Sequence, residues 1–327
     1  MTQKNNKNGF LLVSALAVVA AFIGGTLWGQ NLAKKKESVA GTTIENQENL
    51  ITFETSQNDK PNVKFFVMSY CPYGNQAEGG LKPVADLLGD KVDWEPRYII
   101  SKQSEETIEQ RCQAQVYSEE LCQTYIDQGY FPDQASCKER LYSTVGECFQ
   151  AQSDGCLATE DNNYYCSLHG KEELNQNVRE ICAWNSTDDK SKWWQFLSLV
   201  NANCSLNNVA SCWQGQAEES GLDTEEIQTC FNEQAIELLD KEIATTDKYQ
   251  VTGSPTVFVN DQKFPPEGAY DQEGLARLAI NDQIFEQTNY RAPETFKQAI
   301  CSAFSKAPKE CKTELTAENG ASSGSCN

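Results

Sequence analysis

A strand, a cysteine, a proline and a helix follow one another early in the chain, and this order constrains the fold more than any other feature. The apolar run from Val63 to Met68 predicts a buried strand. The amphipathic stretch from Pro72 to Leu88 predicts a helix with proline at its favoured first position. Cys71 therefore lies at a helix N-terminus, where unpaired N–H groups and the helix dipole favour a thiolate.

A second informative segment lies far along the chain, where Ser254 and Pro255 precede a β-branched run. Thr256 to Asn260 and Gln262 to Phe264 predict a hairpin that turns at Asp261. The two segments resemble the signature places of the thioredoxin fold, which are the active-site cysteine and a cis-proline loop beside it. The resemblance implies that Pro255 is cis, and that Ser254 faces the cysteine and offers its backbone to an extended substrate strand.

The order of elements predicts an α/β protein with a thioredoxin-like fold and a long, disulfide-rich helical insertion, as is typical of DsbA-like proteins. Val92 to Ile100 supplies a second strand, and the segment rich in Gln, Glu and Cys that follows is expected to be helical. Asp271 to Asn281 is expected to form the closing helix and Pro293 to Ser305 one more. The predicted boundaries are 1–36 for a membrane anchor or signal segment, 37–60 for a linker, 61–101 for the first half of the thioredoxin-like domain, 102–248 for the insertion, 249–290 for the second half, and 291–327 for a C-terminal helix and disordered tail.

Fourteen cysteines and one histidine define the chemical class of the chain. The cysteines are about three times as many as a cytosolic protein of this size carries, and their spacing matches no zinc finger or ribbon. We therefore expect disulfides, an oxidising compartment, and neither a metal nor a cofactor. The net charge of −20 argues against nucleic acid as a partner.

Twelve of the cysteines are disulfide candidates. Their pairing is not determined by the sequence, but ten of them fall in the helical insertion and fit five bridges. Cys112–Cys148 and Cys122–Cys137 would clip an antiparallel helix hairpin, and Cys301 and Cys311 are close enough in sequence to pair locally. The candidates are Cys112, Cys122, Cys137, Cys148, Cys156, Cys166, Cys182, Cys204, Cys212, Cys230, Cys301 and Cys311. Cys71 and Cys326 are left over.

The N-terminus carries an uncharged apolar stretch, Phe10 to Trp28, with lysines on both sides. As a helix it would span about 28 Å, close to the hydrocarbon thickness of a bilayer. The cleavage site after it is poor, so an uncleaved anchor is favoured over a secreted or lumenal protein released by signal cleavage. The cysteines place the long C-terminal part outside the cytoplasm.

A third segment resembles the signature of the gamma-interferon-inducible lysosomal thiol reductase family, Cys-Gln-His-Gly-x2-Glu-Cys-x2-Asn-x4-Cys. The positions in register are His169, Gly170, Glu173, Asn177 and Cys182. Two positions depart from the signature, because Cys166 lies one residue too far upstream and Leu174 replaces the middle cysteine. The resemblance implies thiol-disulfide chemistry on protein substrates. We expect His169 to be structural rather than catalytic.

The motif at the candidate catalytic residue Cys71 is incomplete. Pro72, Tyr73 and Gly74 follow it, whereas the family carries a second cysteine where Gly74 stands. Without a resolving thiol, substrate release needs an external thiol or a second thiol on the substrate. We therefore expect a monothiol oxidoreductase or isomerase-like activity on protein or peptide thiols and disulfides, with a membrane redox partner as a further candidate. The alternatives are a non-catalytic peptide-binding module that uses Ser254 and Pro255, and a surface protein whose disulfides serve only durability.

Overall fold

The computed structural model describes residues 50–265, 277–280, 283–285 and 291–316, and its elements follow the chain in an order of strands, helices and strands. They are β1 Leu50–Phe53, β2 Asn62–Val67, α1 Pro72–Leu88, β3 Asp93–Tyr98, β4 Ser101–Ser104, α2 Glu105–Gln113, α3 Glu119–Asp127, α4 Gln134–Arg140, α5 Val145–Ser153, β5 Cys156–Ala158, β6 Asn163–Cys166, α6 Lys171–Ser186, α7 Lys190–Asn203, α8 Val209–Glu219, α9 Thr224–Lys248, β7 Thr256–Val259, β8 Gln262–Lys263, β9 Arg277–Ile280, β10 Gln283–Phe285 and α10 Pro293–Ser302. Within these ranges the chain forms two compact units, Glu105–Gln152 and the segments before and after it.

The larger unit is built on a four-stranded sheet with the order β3-β2-β7-β8. β2 runs parallel to β3, with α1 as the crossover, and antiparallel to β7, which forms a hairpin with β8. This β-α-β and β-β arrangement is thioredoxin-like, as the sequence predicts. Its tight turn is made by Asn260 and Asp261, whose φ values of 48° and 62° are those of a two-residue type I′ connection.

Helices α6 to α9 belong to the same unit as the sheet and share its core. Trp193 and Trp194 of α7 are buried, and the Trp194 ring stacks on Phe65 of β2 with centroids 5.4 Å apart. Trp94 of β3 meets Trp194 edge to face at 5.7 Å. Burying aromatic rings on the sheet is among the larger single contributions to folding, so these helices are part of the domain core.

The smaller unit, Glu105–Gln152, consists of short helices held by two disulfides. The predicted pairs Cys112–Cys148 and Cys122–Cys137 are both present. The predicted hairpin of two helices is wrong in one respect, since each arm is broken into two helices. Ser118 and Asp133 end the irregular stretches before α3 and α4, because their side chains accept backbone N–H groups and cap these helices.

The other predicted disulfide candidates also pair among the described residues. The remaining bridges are Cys156–Cys166, Cys182–Cys230, Cys204–Cys212 and Cys301–Cys311. The expectation of five bridges within the insertion and one near the C-terminus is confirmed.

Two segments expected to be helical contain strands instead. In the insertion, β4, β6 and β5 form a three-stranded antiparallel sheet in which Cys156 pairs in register with Cys166, so that the disulfide joins neighbouring strands. In the predicted closing helix, Arg277–Ile280 is β9, paired parallel with β1. Strand pairing with a distant segment overrides the local helical spacing there.

Helix α10 confirms the helix expected from Pro293. It packs against α1. A β-carbon on Gly80 of α1 would stand 2.0 Å from the carbonyl oxygen of Arg291 and 3.0 Å from the Phe296 ring. Glycine is therefore needed for the two helices to approach.

Several predicted features lie outside the described residues. They are the apolar stretch 10–28, most of the linker before residue 50, the segment 271–276 and Cys326. Among the helices that the structure does describe, none combines the length and the apolar character needed to cross a membrane.

Candidate active site around Cys71

Cys71 occupies the N-cap position of α1, as the strand-cysteine-proline pattern predicts. Its N–H donates to the Met68 carbonyl at 2.9 Å, and its own carbonyl accepts from Asn75 N–H at 2.9 Å to begin the helix. Within the part of the chain that the structure describes, it is the one cysteine outside a disulfide. The residue is only 6% exposed, so a reacting partner must approach closely.

Ser254 and Pro255 lie directly beside this cysteine, and the peptide bond between them is cis. The Cys71 thiol donates to the Ser254 carbonyl oxygen, with 3.6 Å between the heavy atoms. The Ser254 hydroxyl accepts from Met68 N–H at 3.2 Å. The predicted meeting of the cysteine with the proline loop is present in the structure.

Gly74 occupies the place of a second cysteine, and little space surrounds it. A β-carbon there would stand 3.4 Å from Cys71 Cβ, 3.3 Å from the Met68 carbonyl and 2.8 Å from the Ser254 hydroxyl oxygen. The first distance is close to the ~3.8 Å that joins the β-carbons of a disulfide. The backbone thus retains the geometry of a two-cysteine motif, whereas the serine hydroxyl intrudes on it.

Helix α6 holds the turn before Cys71. Ser69 N–H donates to Asn177 Oδ1 at 3.0 Å, and Tyr70 N–H donates to Glu173 Oε1 at 2.9 Å. Both helix residues are completely buried. Both residues belong to the segment that resembles the thiol reductase signature, and the sequence alone gives them no role.

His169 joins this arrangement through Glu173. Its ring Nδ1 lies 2.8 Å from Glu173 Oε1, and its N–H donates to Oε2 at 3.0 Å. The Ser167 hydroxyl donates to the same Oε2 at 2.7 Å. Together with the Tyr70 N–H, these contacts saturate a buried carboxylate. The ring of His169 is thus bonded to Glu173, and the structural role expected of this histidine stays a prediction.

These contacts shift the pKa values of both partners. The hydrogen bond with Glu173 raises the pKa of His169, against the opposing effect of partial burial. Burial alone would raise the pKa of Glu173, but the hydrogen bonds from His169 and Ser167 outweigh it and lower that pKa. At mildly acidic pH the two groups therefore form an ion pair.

A second buried acid, Glu180, lies further along α6. The Ser69 hydroxyl lies 2.6 Å from Asn177 Oδ1 and 2.8 Å from Glu180 Oε2. Burial raises the pKa of Glu180 to about 7, against hydrogen bonds from Gln176 and Ser69 that favour the anion. Because a hydroxyl has one hydrogen, the two short contacts of Ser69 are both satisfied when Glu180 is protonated and donates to it.

The sequence offered a partial signal for these residues. Glu173, Asn177 and Glu180 recur at helical spacing and share one face of α6, but a buried helix face is ordinarily indicated by apolar residues. Glu78 of α1, which also carries a raised pKa because of burial and of Glu180, gave no such signal.

Two large hydrophobic side chains are exposed on segments that contribute residues to the site. Tyr73 and Leu168 are 54% and 64% exposed, which makes them the most exposed large hydrophobic side chains among the described residues. Tyr73 follows Cys71 by two positions, and Leu168 lies between the two residues that bind Glu173. The guanidinium of Arg291 lies over the Tyr73 ring, 4.6 Å from its centroid. No cluster of His, Cys, Asp and Glu suited to a metal occurs in the described ranges.

Comparison with known protein families identifies one related domain. Residues 131–276 match the vacuolar sorting receptor thioredoxin-like domain. Vacuolar-sorting receptor 3 of Arabidopsis thaliana is 19% identical over 170 residues, which cover 48% of this chain and 25% of that protein. Vacuolar-sorting receptor 1 of Pisum sativum is 22% identical over 172 residues, with coverage of 48% and 26%. The chain thus spans about a quarter of these relatives. The family match begins after Cys71.

Solved structures with similar architecture include two from Mycobacterium tuberculosis. The disulfide bond oxidoreductase DsbG, in its reduced form, has a TM-score of 0.40 and 12% identity, covering 80% of this chain and 86% of its own. Reduced DsbA has a TM-score of 0.38 and 14% identity, covering 80% and 91%. The strand order and the family match both indicate a thioredoxin-like fold.

Proposed function

We propose that this protein exchanges disulfides with protein substrates through Cys71, as a single-cysteine oxidoreductase or isomerase. The observation that carries the proposal is the position of Cys71, which is the N-cap residue of α1 and whose free thiol contacts the Ser254 carbonyl oxygen at 3.6 Å. The thiolate of such a cysteine is the attacking species in disulfide exchange.

The proposed reaction conserves atoms and electrons. The Cys71 thiolate attacks one sulfur of a substrate disulfide, a new Cys71–substrate bond forms, and the other substrate sulfur leaves as a thiolate. Because Gly74 supplies no second thiol, the mixed disulfide is cleaved by a second substrate thiol, which gives isomerisation, or by an external small thiol. The lack of a second thiol at position 74 also makes the mixed disulfide long-lived.

The proposed substrate class rests on exposed hydrophobic side chains in segments next to site residues and on the loop of Ser254. Exposed Tyr73 and Leu168 offer apolar contacts, and the backbone of Ser254 offers an extended strand a partner in β fashion. A partly unfolded polypeptide that presents a disulfide among apolar residues fits this surface. The kinship with the lysosomal thiol reductase family, supported by His169 and Glu173 in register, belongs to the same proposal.

The proposed location is outside the cytoplasm, tethered by the N-terminal apolar stretch. Six disulfides among the described residues support an oxidising compartment. A membrane redox partner would then reach the domain from the same side.

A second candidate function is a peptide-binding module without turnover. The low exposure of Cys71, at 6%, and the missing second cysteine favour it. It would use the same surface around Ser254 and Pro255, with the thiol idle.

The experiment that separates the two functions incubates the full chain with a peptide disulfide and follows mass. Exchange predicts a mixed disulfide on the tryptic peptide containing Cys71, stable until a small thiol is added. Cys71→Ser should abolish it. Peptide binding without any covalent adduct would establish the second function.

A further inference from the structure

Three successive N–H groups before Cys71 are each bound by a side chain from elsewhere in the chain. Met68 N–H donates to the Ser254 hydroxyl, Ser69 N–H to Asn177, and Tyr70 N–H to Glu173, at 3.2, 3.0 and 2.9 Å. None of these acceptors is a neighbour in sequence, so the shape of the turn is set by tertiary contacts.

The turn from Met68 to Tyr70 leads directly into Cys71 and the start of α1. Its conformation therefore sets where the thiol lies. Buried acceptors bind its N–H groups, since an N–H group left unpaired in such a position is costly.

We infer that Glu173 and Asn177 are positioning residues for Cys71: through the Tyr70 and Ser69 amides they hold the turn so that the thiol faces the Ser254 carbonyl. The inference rests on the proposed function for its purpose but not for its geometry. It assigns to the signature segment of α6 a role at the reacting sulfur, although neither side chain touches that sulfur.

The two residues are joined to each other. Asn177 Nδ2 donates to the Ser167 hydroxyl at 3.2 Å, and that hydroxyl donates to Glu173 at 2.7 Å. The connected network fixes the orientation of the Asn177 amide, with its oxygen toward Ser69. Removing either acceptor therefore loosens the same turn.

The test compares Glu173→Ala and Asn177→Leu with Val178→Ala in the full chain. Val178 is buried on the same helix, at 2% exposure, and makes none of these contacts, so its truncation controls for stability loss. Hydrogen exchange of the Ser69 and Tyr70 amides is measured directly. We expect Asn177→Leu to release the Ser69 amide and Glu173→Ala the Tyr70 amide, with both amides still protected in Val178→Ala.

A second readout compares two reactions of Cys71. Loosening the turn should expose the thiol and raise its iodoacetamide alkylation rate, while its reaction with a peptide disulfide falls, each by about tenfold. Both rates are measured by mass on the peptide containing Cys71, so that reaction at Cys326 does not contribute to them. A merely structural role would lower the melting temperature and leave the ratio of the rates unchanged.

Asn177→Asp keeps the acceptor oxygen and should restore protection of the Ser69 amide. If Asn177→Leu does not fold, Glu173→Ala and the protection of the Tyr70 amide decide the inference. Unchanged amide protection and an unchanged alkylation rate in both acceptor variants would overturn the inference. If the wild-type protein itself does not react with the peptide disulfide, the proposed function fails, whereas amide protection and alkylation still decide the positioning role.

Discussion

The hydroxyl oxygen of Ser254 lies 2.8 Å from the point where a β-carbon on Gly74 would stand. The contact is too short for a real side chain, yet the obstacle is a single light atom on a short side chain. Ser254 also binds Met68 N–H through this oxygen, so the hydroxyl serves the turn while it fills the space of the missing cysteine. The turn before Cys71 and the loop that carries Ser254 are therefore both arranged for a site with one thiol.

Gly74→Cys should create a two-cysteine site. The new β-carbon would stand 3.4 Å from that of Cys71, near the disulfide value of ~3.8 Å, so a disulfide between Cys71 and the introduced thiol is expected under oxidising conditions. Insulin reduction with dithiothreitol should gain turnover, because the second thiol now resolves the mixed disulfide.

Gly74→Ala is the matched control, since it adds the same β-carbon without a sulfur. Adding Ser254→Ala to Gly74→Cys removes the overlapping oxygen and should make the new disulfide form faster. If Cys71 bridges to the introduced thiol without any gain in turnover, the peptide-binding function is favoured over exchange.

The contribution of the ion pair between His169 and Glu173 to stability should be largest at mildly acidic pH. His169, with a raised pKa, contributes fully below its ordinary value of 6.5 and loses this as pH rises through the raised value. Glu173, with a lowered pKa, contributes fully above its ordinary 4.5 and loses this as pH falls through the lowered value. The pair is therefore most stabilising between pH 4.5 and pH 6.5.

His169→Asn tests this pair by urea unfolding across the pH range. The difference in unfolding free energy from wild type should peak at about 1 kcal/mol in that window and shrink on both sides. A difference that stays constant with pH would show that the histidine acts by packing alone.

The sequence predicts the local pieces of the fold because each carries its own signal. The run from Val63, the proline after Cys71 and the turn at Asp261 are fixed by neighbours in the chain, and the structure places them as predicted. Leu278 and Ala279 fall within the predicted closing helix, but they pair with β1, a partner more than two hundred residues away that no local pattern reveals.

The candidate site divides in the same way. Cys71, Ser254 and Pro255 are recognised from two short motifs. The contacts of Glu173 and Asn177 with the turn before Cys71 are not, because polar residues on a helix face ordinarily indicate solvent. Only the folded chain brings that face under the turn.

Gly80→Ala should destabilise the protein strongly. Its β-carbon would stand 2.0 Å from the carbonyl oxygen of Arg291, a backbone atom that cannot move without shifting the start of α10. We expect a loss of about 1–3 kcal/mol, or displacement of α10 from α1. Gly215→Ala in α8 is the control, since nothing lies within 4 Å of its β-carbon and it should gain helix propensity. Equal melting temperatures for the two variants would contradict this packing.

Reduction should loosen the unit Glu105–Gln152 before the sheet. Its small aromatic core surrounds Tyr125. The Cys122–Cys137 bridge closes a loop of 15 residues, and such a bridge stabilises the folded state by about 3 kcal/mol. Trypsin should then cut at Lys138 and Arg140 only when dithiothreitol is present. A Cys122→Ser/Cys137→Ser variant should show the same cuts without reductant. Equal resistance in both conditions would mean that packing holds this unit.

Glu180→Gln should stabilise the protein at alkaline pH. The folded state keeps a proton on Glu180 up to about pH 7, whereas the unfolded chain releases it near the ordinary value of 4.5. Stability is therefore lost as pH rises from the unfolded value through the folded one, by an amount on the order of 3 kcal/mol. Glutamine mimics the protonated acid, because its amide can donate to the Ser69 hydroxyl while its oxygen accepts from Gln176.

Urea unfolding with the disulfides intact, at pH 5 and pH 8, measures the effect. Wild type and Glu180→Gln should differ little at the lower pH, where the acid already holds its proton in the fold. At the higher pH the variant should be more stable, because wild type must either keep a buried anion or open the region around Ser69 to water. A variant that is less stable at both values would instead show that the Glu180 carboxylate, in its charged form, supports the turn before Cys71.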